Sequence, residues 1–422
     1  MSDQDFDATA FLGDLRQRVR SFAKQAAGEL SGLKGEPAAR AALASLAKAD
    51  WLRFVVAKAH GGQAPEGLTP KNELSVRVMC VLREELAYAH GLLDLMFVMQ
   101  GLGSYPLLRD GSLDLRSAIL PGVHRGERIA SYGLTEPGAG SSLDEIATSA
   151  VQDGDEWVLN GHKTFISNAG IADFVCVLAR TAGKPGDRRT DGLTMFYVPT
   201  DSGGVRMEPF EVLGDHPIGD VIFDNVRVRA SYLLGQPGAG LEIALATLAR
   251  FRTTVASAAC GFARRALDES CGHLARREQF GKPLSANQGL RFDLAEMDTR
   301  LRASELLVEE AARLSDANDP AAAQAVARAK LFATEEASWI CDRAVQHHGG
   351  LGVKQGTVVE ALYRETRALR IYEGASEVQK LILSKIVLSA DAERRAAEQA
   401  TAQGETQGGT TGGQVAAEQN QA

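Results

Sequence analysis

Residues 240–277 read GLEIALATLARFRTTVASAACGFARRALDESCGHLARR, and this stretch decides the architecture. Apolar residues recur through it at helical spacing. As one helix it would extend ~57 Å at 1.5 Å per residue. A helix of that length needs neighbours to cover its apolar stripe, so it is expected inside a bundle. The same periodicity persists to about Leu388: Leu284–Leu314 and Ala321–Gln346 predict two further helices, and Val358–Leu369 a fourth.

Upstream the texture changes. In the span 126–235, Trp157-Val-Leu-Asn-Gly-His-Lys-Thr-Phe-Ile166 carries Asn160-Gly161 between apolar runs, which predicts a hairpin turn. Asp173–Arg180, Leu193–Val198 and Val221–Val228 read as further strands. From Ala8 to Pro121 the chain reads as helical, with Leu15, Val19 and Phe22 at helical spacing. Leu92–Leu102 is too long and too apolar for an ordinary strand and is expected as a buried helix. The fold class is therefore α+β, mainly α: an N-terminal helical domain over 1–125, a middle β-domain over 126–235 and a C-terminal helical bundle over 236–390. Residues 391–422, rich in Ala, Gln, Gly, Thr and Glu, are expected as a disordered tail.

Composition narrows the function. The chain has 422 residues, 45% hydrophobic and 24% charged, as a globular protein should. A net charge of −8 argues against nucleic-acid binding, which calls for a basic balance. Cys80, Cys176, Cys260, Cys271 and Cys341 are scattered without a CxxC pair, so no metal centre is expected and a reducing compartment suits them. No run of 18 apolar residues occurs, so no membrane span is expected. The acidic start fits neither a signal nor a transit peptide, which makes the cytoplasm the simplest location.

Two segments carry chemistry. In Ile371-Tyr372-Glu373-Gly374-Ala375-Ser376-Glu377, a carboxylate stands beside an aromatic and before a glycine, where backbone can approach a ligand closely. Such a carboxylate can serve as general base for a C–H proton, or simply be a solvated charge. In Tyr132-Gly-Leu-Thr-Glu-Pro-Gly-Ala-Gly-Ser-Ser142, Pro137, Gly138 and Gly140 build a loop whose N–H groups can face a ligand, with hydroxyls from Thr135, Ser141 and Ser142. It equally reads as a turn between lobes. Its GxG lacks the strand–helix setting of a dinucleotide fingerprint.

Five blocks occur in one order: Thr135-Glu-Pro-Gly-Ala-Gly-Ser141, Lys163-Thr-Phe-Ile-Ser-Asn168, Arg277-Glu-Gln-Phe-Gly281, Gln346-His-His-Gly-Gly350 and Tyr372-Glu-Gly-Ala-Ser376. Over roughly residues 10–390 their spacing resembles the acyl-CoA dehydrogenase family. The resemblance implies an N-terminal helical domain, a middle β-domain and a C-terminal four-helix bundle. It also implies bound FAD, a homo-oligomer (usually a tetramer), an electron-transfer flavoprotein as partner, and oxidation of acyl-CoA to 2,3-enoyl-CoA.

Roles follow from that resemblance. Tyr132, Leu134 and Thr135 would lie against the flavin ring, with Ser141 near cofactor and substrate. Phe165 and Ser167 would flank the ring's other side, sharing a strand face; plain β-core is the other reading of Phe165. Arg277, Gln279 and Phe280, completed by Gln288, Gln346, Gly349 and Gly350, would hold the pyrophosphate and adenine of a neighbouring subunit's FAD. Arg277 could instead be a charge at a helix C-terminus. Ala375 and Glu377 would also touch the cofactor. Glu373 would be the base that removes the α-proton, with Gly374 leaving room for the thioester. Val98, Met99 and Leu102 would floor the acyl pocket and Tyr372 narrow its neck, while Arg252 and Lys385 would serve the substrate side. Phe251, where some members carry their base, cannot compete with Glu373.

Departures leave alternatives open. Ala249 and Ser142 stand where the family usually has acidic residues near the CoA arm, so an acyl group on a carrier protein is an alternative substrate. An oxidase on the same fold and a non-catalytic flavin-binding scaffold are others. Asp94, inside an apolar run, reads as a helix cap or a solvent-facing charge, with a place in the acyl pocket as the lesser reading, and Arg291 reads as a surface charge.

Overall fold

The computed structural model describes residues 7–65, 67–69, 74–189 and 191–408. The chain opens with helices α1 (Ala8–Glu29), α2 (Gly35–Lys48), α3 (Val76–Ala89), α4 (Gly91–Asp110) and α5 (Leu113–His124). Side chains define their starts: the Asp7 carboxylate accepts from the Thr9 and Ala10 N–H groups, and the Ser75 hydroxyl from that of Val78. α4 is apolar enough by composition to cross a membrane, yet 83% of its apolar window is buried in the protein. It packs against α2, α3 and α6 as well as the sheet, so it is apolar on every side, as expected for Leu92–Leu102.

The middle domain is an eight-stranded sheet. Its strands are β1 (Ala130–Gly133), β2 (Ser149–Asp153), β3 (Glu156–Ser167), β4 (Phe174–Arg180), β5 (Leu193–Pro199), β6 (Val205–Pro209), β7 (Ile218–Arg229) and β8 (Leu233–Leu234). The order is β6-β7-β3-β2-β4-β5-β8, with β1 joined in parallel to β4. The predicted hairpin at Asn160-Gly161 does not exist. β3 runs straight through both residues, and its pairing with β7 shifts register between Leu159 and Gly161. Gly161 is there for space: a Cβ would stand 2.6 Å from the Thr148 backbone. The turn lies instead at Gly154 (φ +62), which joins β2 to β3.

The C-terminal part is the expected bundle. α6 (Gly240–Arg276) is one helix of 37 residues, packed against α7 (Gln288–Asp316) and α8 (Ala322–His348). α9 (Val358–Leu369) has the bounds read from the sequence, and α10 (Ser376–Gly408) packs on α8. Between α6 and α7, β9 (Glu278–Gln279) and β10 (Lys282–Pro283) form a small hairpin. Its tip is Phe280 (φ +54) and Gly281 (φ +78), the paired positive φ angles of a tight hairpin turn. The helix α10 continues through residues 391–408, which were expected to be disordered; Ala, Glu, Gln and Arg, abundant there, are good helix formers even where no core is available. The rest of that predicted tail, 409–422, lies outside the described residues.

Candidate active site

The short loop between α9 and α10 carries Tyr372, Glu373 and Gly374. Glu373 has φ +52, a left-handed conformation uncommon for a residue with a Cβ, and Gly374 follows at φ +92. Donors from three helices hold this bend. Arg252 Nε of α6 donates to the Glu373 carbonyl at 2.9 Å. Lys330 Nζ of α8 and Gln379 Nε2 of α10 both donate to the Gly374 carbonyl, at 2.8 and 2.9 Å. Glycine suits position 374 because φ +92 would strain any residue with a Cβ, and that Cβ would also push on the Gln379 amide that holds the loop. At the loop's end the Ser376 hydroxyl donates to Glu335, which also pairs with Arg370 at 2.6 Å.

The Glu373 side chain is left free. Its Oε2 is buried without a hydrogen-bond partner among the described residues. Burial raises its pKa above the usual carboxylate range, against the pull of Arg83, Arg252 and Lys330. A carboxylate so placed is a stronger base than one in water.

Behind the loop lies an ion pair that sequence reasoning missed. Asp94 neither caps a helix nor faces water: it is 4% exposed, and both its oxygens accept from Arg83, Nε to Oδ1 and Nη2 to Oδ2, each at 2.7 Å. Arg83 is itself 2% exposed and also donates to the Thr254 hydroxyl at 2.9 Å. Two charges buried together must pair, because either alone would be stranded in a low-dielectric interior. Val98 and Leu102 follow Asp94 at four-residue steps along α4, and both are buried with Met99. Phe251 is buried against Tyr105 and cannot act as a base.

The Thr135–Ser141 segment is a tight turn in which the Ala139 N–H donates to the Glu136 carbonyl at 3.1 Å. A second buried ion pair braces it. Lys163 of β3, fully buried, reaches Glu136 at 2.7 Å and the Leu134 carbonyl at 2.9 Å. Burial lowers the Lys163 pKa to about 8, though Glu136 opposes the fall. The Thr164 N–H donates to the Thr135 carbonyl at 2.9 Å, tying the turn to β3. Tyr132 and Leu134 are buried, Thr135 is partly buried, and Ser141 is exposed. Ser142 is exposed too and hydrogen-bonds Asp144.

Phe165 is not core: it is 61% exposed, at φ +55, with its edge on Phe210 at 5.3 Å. Ser167 shares a hydrogen bond of 2.8 Å with partly buried His216, which no sequence signal marked. No Cβ at Gly138 or Gly140 would meet anything within 4 Å. An exposed ring, open backbone and nearby hydroxyls suit a planar, hydrogen-bonding ring system, so these residues fit a flavin.

The second predicted cofactor group gathers elsewhere. Arg277 caps α6, and Gln279 and Phe280 lie on the hairpin, whose Phe280 ring is 97% exposed. Gln288 opens α7. Gln346, Gly349 and Gly350 end α8, where His348 stacks on His273 at 4.2 Å, close to Arg277 in sequence. Tyr132, by contrast, hydrogen-bonds Ala244 near the other end of α6. Thirty-three residues separate Ala244 from Arg277, roughly 50 Å of helix. One chain does not bring the two groups together. Lys385 is exposed on α10 with Leu381 and Leu388, away from the buried acyl-side residues, and Ala375 and Glu377 sit where α10 begins.

Three family models match the chain in sequence: acyl-CoA dehydrogenase N-terminal domain over residues 12–127, middle domain over 131–226 and C-terminal domain over 238–388. A 3-(aryl)acrylate reductase of Clostridium sporogenes is 37% identical, covering 74% of this chain and 83% of its own. The CarC subunit of the caffeyl-CoA reductase–Etf complex of Acetobacterium woodii is 35% identical, covering 82% and 89%. Butyryl-CoA dehydrogenase from Megasphaera elsdenii has a similar structure, with TM-score 0.81 and 27% identity over 91% of this chain and 100% of that one. The sheet flanked by helical domains, the free carboxylate in its loop and these matches agree: the chain belongs to the acyl-CoA dehydrogenase family of flavin-dependent oxidoreductases.

Proposed function

We propose that this chain dehydrogenates an acyl-CoA thioester between its α- and β-carbons, with Glu373 as the base and FAD as the flavin. The observation that carries the reading is the buried, unpartnered Oε2 of Glu373 on a bend held by three helices. Such an oxygen is desolvated and free to take a proton. FAD, when bound, would supply the hydride acceptor for the β-carbon. Thr135, Ser167 and Phe165 would orient its ring, and Val98, Met99 and Leu102 would exclude water around an apolar acyl chain. The Glu373 N–H would donate to the thioester carbonyl; an oxyanion donor of this kind is worth about 3–4 kcal/mol.

The roughly 50 Å of α6 between the two cofactor groups supports a site completed by a second copy of the chain. Arg277 of one copy would then hold the phosphates for the Glu373 of another. The Etf partner named for the Acetobacterium relative supports an electron-transfer flavoprotein as redox partner, and the dehydrogenation proposed here would make it the acceptor. A carrier-bound thioester is the second reading, favoured by Ala249 and Ser142 where acidic contacts to a CoA arm are expected.

The test is anaerobic. The purified protein is mixed with straight-chain, branched and aryl acyl-CoAs while flavin absorbance is followed. Bleaching by one class identifies the substrate; bleaching by carrier-bound thioesters alone selects the second reading. Glu373→Gln should bind the same thioester and leave the flavin oxidised. Reduction at the normal rate in that variant would remove Glu373 from the role of base.

A further inference from the structure

Lys330 is a cation on the wrong side of its helix. Along α8 the buried positions include Val326, Ala329, Ala333, Ala337 and Ile340, and Lys330 lies among them with no exposed surface. Burying an ammonium is costly unless something compensates it. Its Nζ donates to the Gly374 carbonyl at 2.8 Å, one residue beyond the proposed base. We infer that Lys330 is a positioning residue for Glu373: its ammonium clamps the bend at Gly374 and supplies the buried positive charge that balances the neighbouring carboxylate. The inference rests on the reading of Glu373 as the base.

Two features support this role over plain packing. Gln379 already supplies a neutral donor to the same carbonyl, at 2.9 Å, so a second donor is not needed merely to satisfy it. Glu373 and Gly374 both have positive φ, a bend that needs external restraint, and Lys330 and Arg252 reach its two successive carbonyls from different helices. Burial lowers the Lys330 pKa to about 8, while Glu373, Glu335 and Glu377 oppose the fall and Arg252 adds to it. The charges that reach Glu373 come from α3 (Arg83), α4 (Asp94), α6 (Arg252) and α8 (Lys330). Tyr372 stands beside it, within reach of Glu365 on α9. Lys330 is thus one of three cations that favour the ionised carboxylate and, with Arg252, one of the two that also hold the backbone of the bend.

The experiment titrates Glu373 directly, on the flavin-loaded full chain and with no thioester present. Infrared difference spectra follow the protonated-carboxyl stretch of isotope-labelled glutamate, and the band missing from Glu373→Gln is the one assigned. In Lys330→Met and Lys330→Gln the midpoint of that band should rise by about one pH unit, because a nearby cation favours the charged carboxylate. Lys330→Arg, which keeps the charge, should return it to within about three tenths of a unit of wild type. Folded Lys330→Met or Lys330→Gln protein with the wild-type midpoint would overturn the inference. If Lys330→Met does not fold, the Gln variant decides. If no thioester bleaches the flavin, the proposed substrate fails while this titration still reads the clamp.

Discussion

Asp94→Asn isolates the buried ion pair behind the active-site loop. The change keeps the shape of the side chain and removes one charge, so Arg83 stays 2% exposed without the carboxylate that its guanidinium is bonded to. The two bonds of 2.7 Å to a carboxylate are lost, and what remains for the guanidinium is neutral acceptors, the Asn amide oxygen and the Thr254 hydroxyl. Breaking a buried pair in this way costs about 3–5 kcal/mol. That is roughly two to three and a half powers of ten in the folding equilibrium, a large share of a domain's 5–15 kcal/mol. The double variant Arg83→Met, Asp94→Leu removes both charges and fills the space with apolar atoms, so it should come within ~1–2 kcal/mol of wild type or exceed it. Urea titrations followed by tryptophan fluorescence, run on these variants with Arg83→Met and Asp94→Leu alone to close the double-mutant cycle, measure the coupling. Trp51 is buried against Phe54 in the N-terminal helices and reports on that layer. If Asp94→Asn loses less than ~1 kcal/mol, or the double variant loses as much as the single one, the cost of stranding the charge has been misjudged.

A pH dependence follows from Glu365 on α9. Burial, with Asp215 and Asp94 adding to it, raises its pKa from 4.5 to about 7, although an Asp215 backbone hydrogen bond pulls the other way. The folded chain then keeps this proton up to about pH 7, whereas the unfolded chain loses it near pH 4.5. Unfolding releases a proton in that window, so this group's contribution to stability falls as pH rises from 4.5 to about 7, by at most ~3 kcal/mol. Glu365→Gln should flatten the change, as unfolding at pH 5 and pH 8 will show. Arg277→Met should weaken flavin retention about 10–100-fold, since a charge-assisted hydrogen bond contributes ~1.5–3 kcal/mol. Flavin release through a desalting column measures it, and full retention would take Arg277 out of the cofactor site.

The bundle was legible because its cause is periodic. Val358–Leu369 emerged with its bounds intact, and the other long helices shifted by only a few residues at their ends. The Asn160-Gly161 turn was misread because a glycine needed for close approach to Thr148 looks, in one dimension, like a glycine needed for a turn. Asp94 was visibly out of place in an apolar run, but its partner lies on another helix and nothing local names it. Lys330 did leave a trace, as a charge on the buried stripe of α8, and weighing each charged residue against its own helix's stripe would have exposed it. His216 left none: a histidine in a loop shows its contact with Ser167 only once the chain is folded.

The bend at Glu373 sets a cost on heat tolerance. A side chain at φ +52 is strained by ~1 kcal/mol or more, and a glycine there would be relieved of it. A glycine would also leave no desolvated carboxylate among its neighbours. Selection for thermal survival alone is therefore expected to enrich Glu373→Gly, trading the reactive group for a more relaxed chain. Stabilised variants of this protein should be sought with activity as a second filter, and position 373 is where the two criteria part.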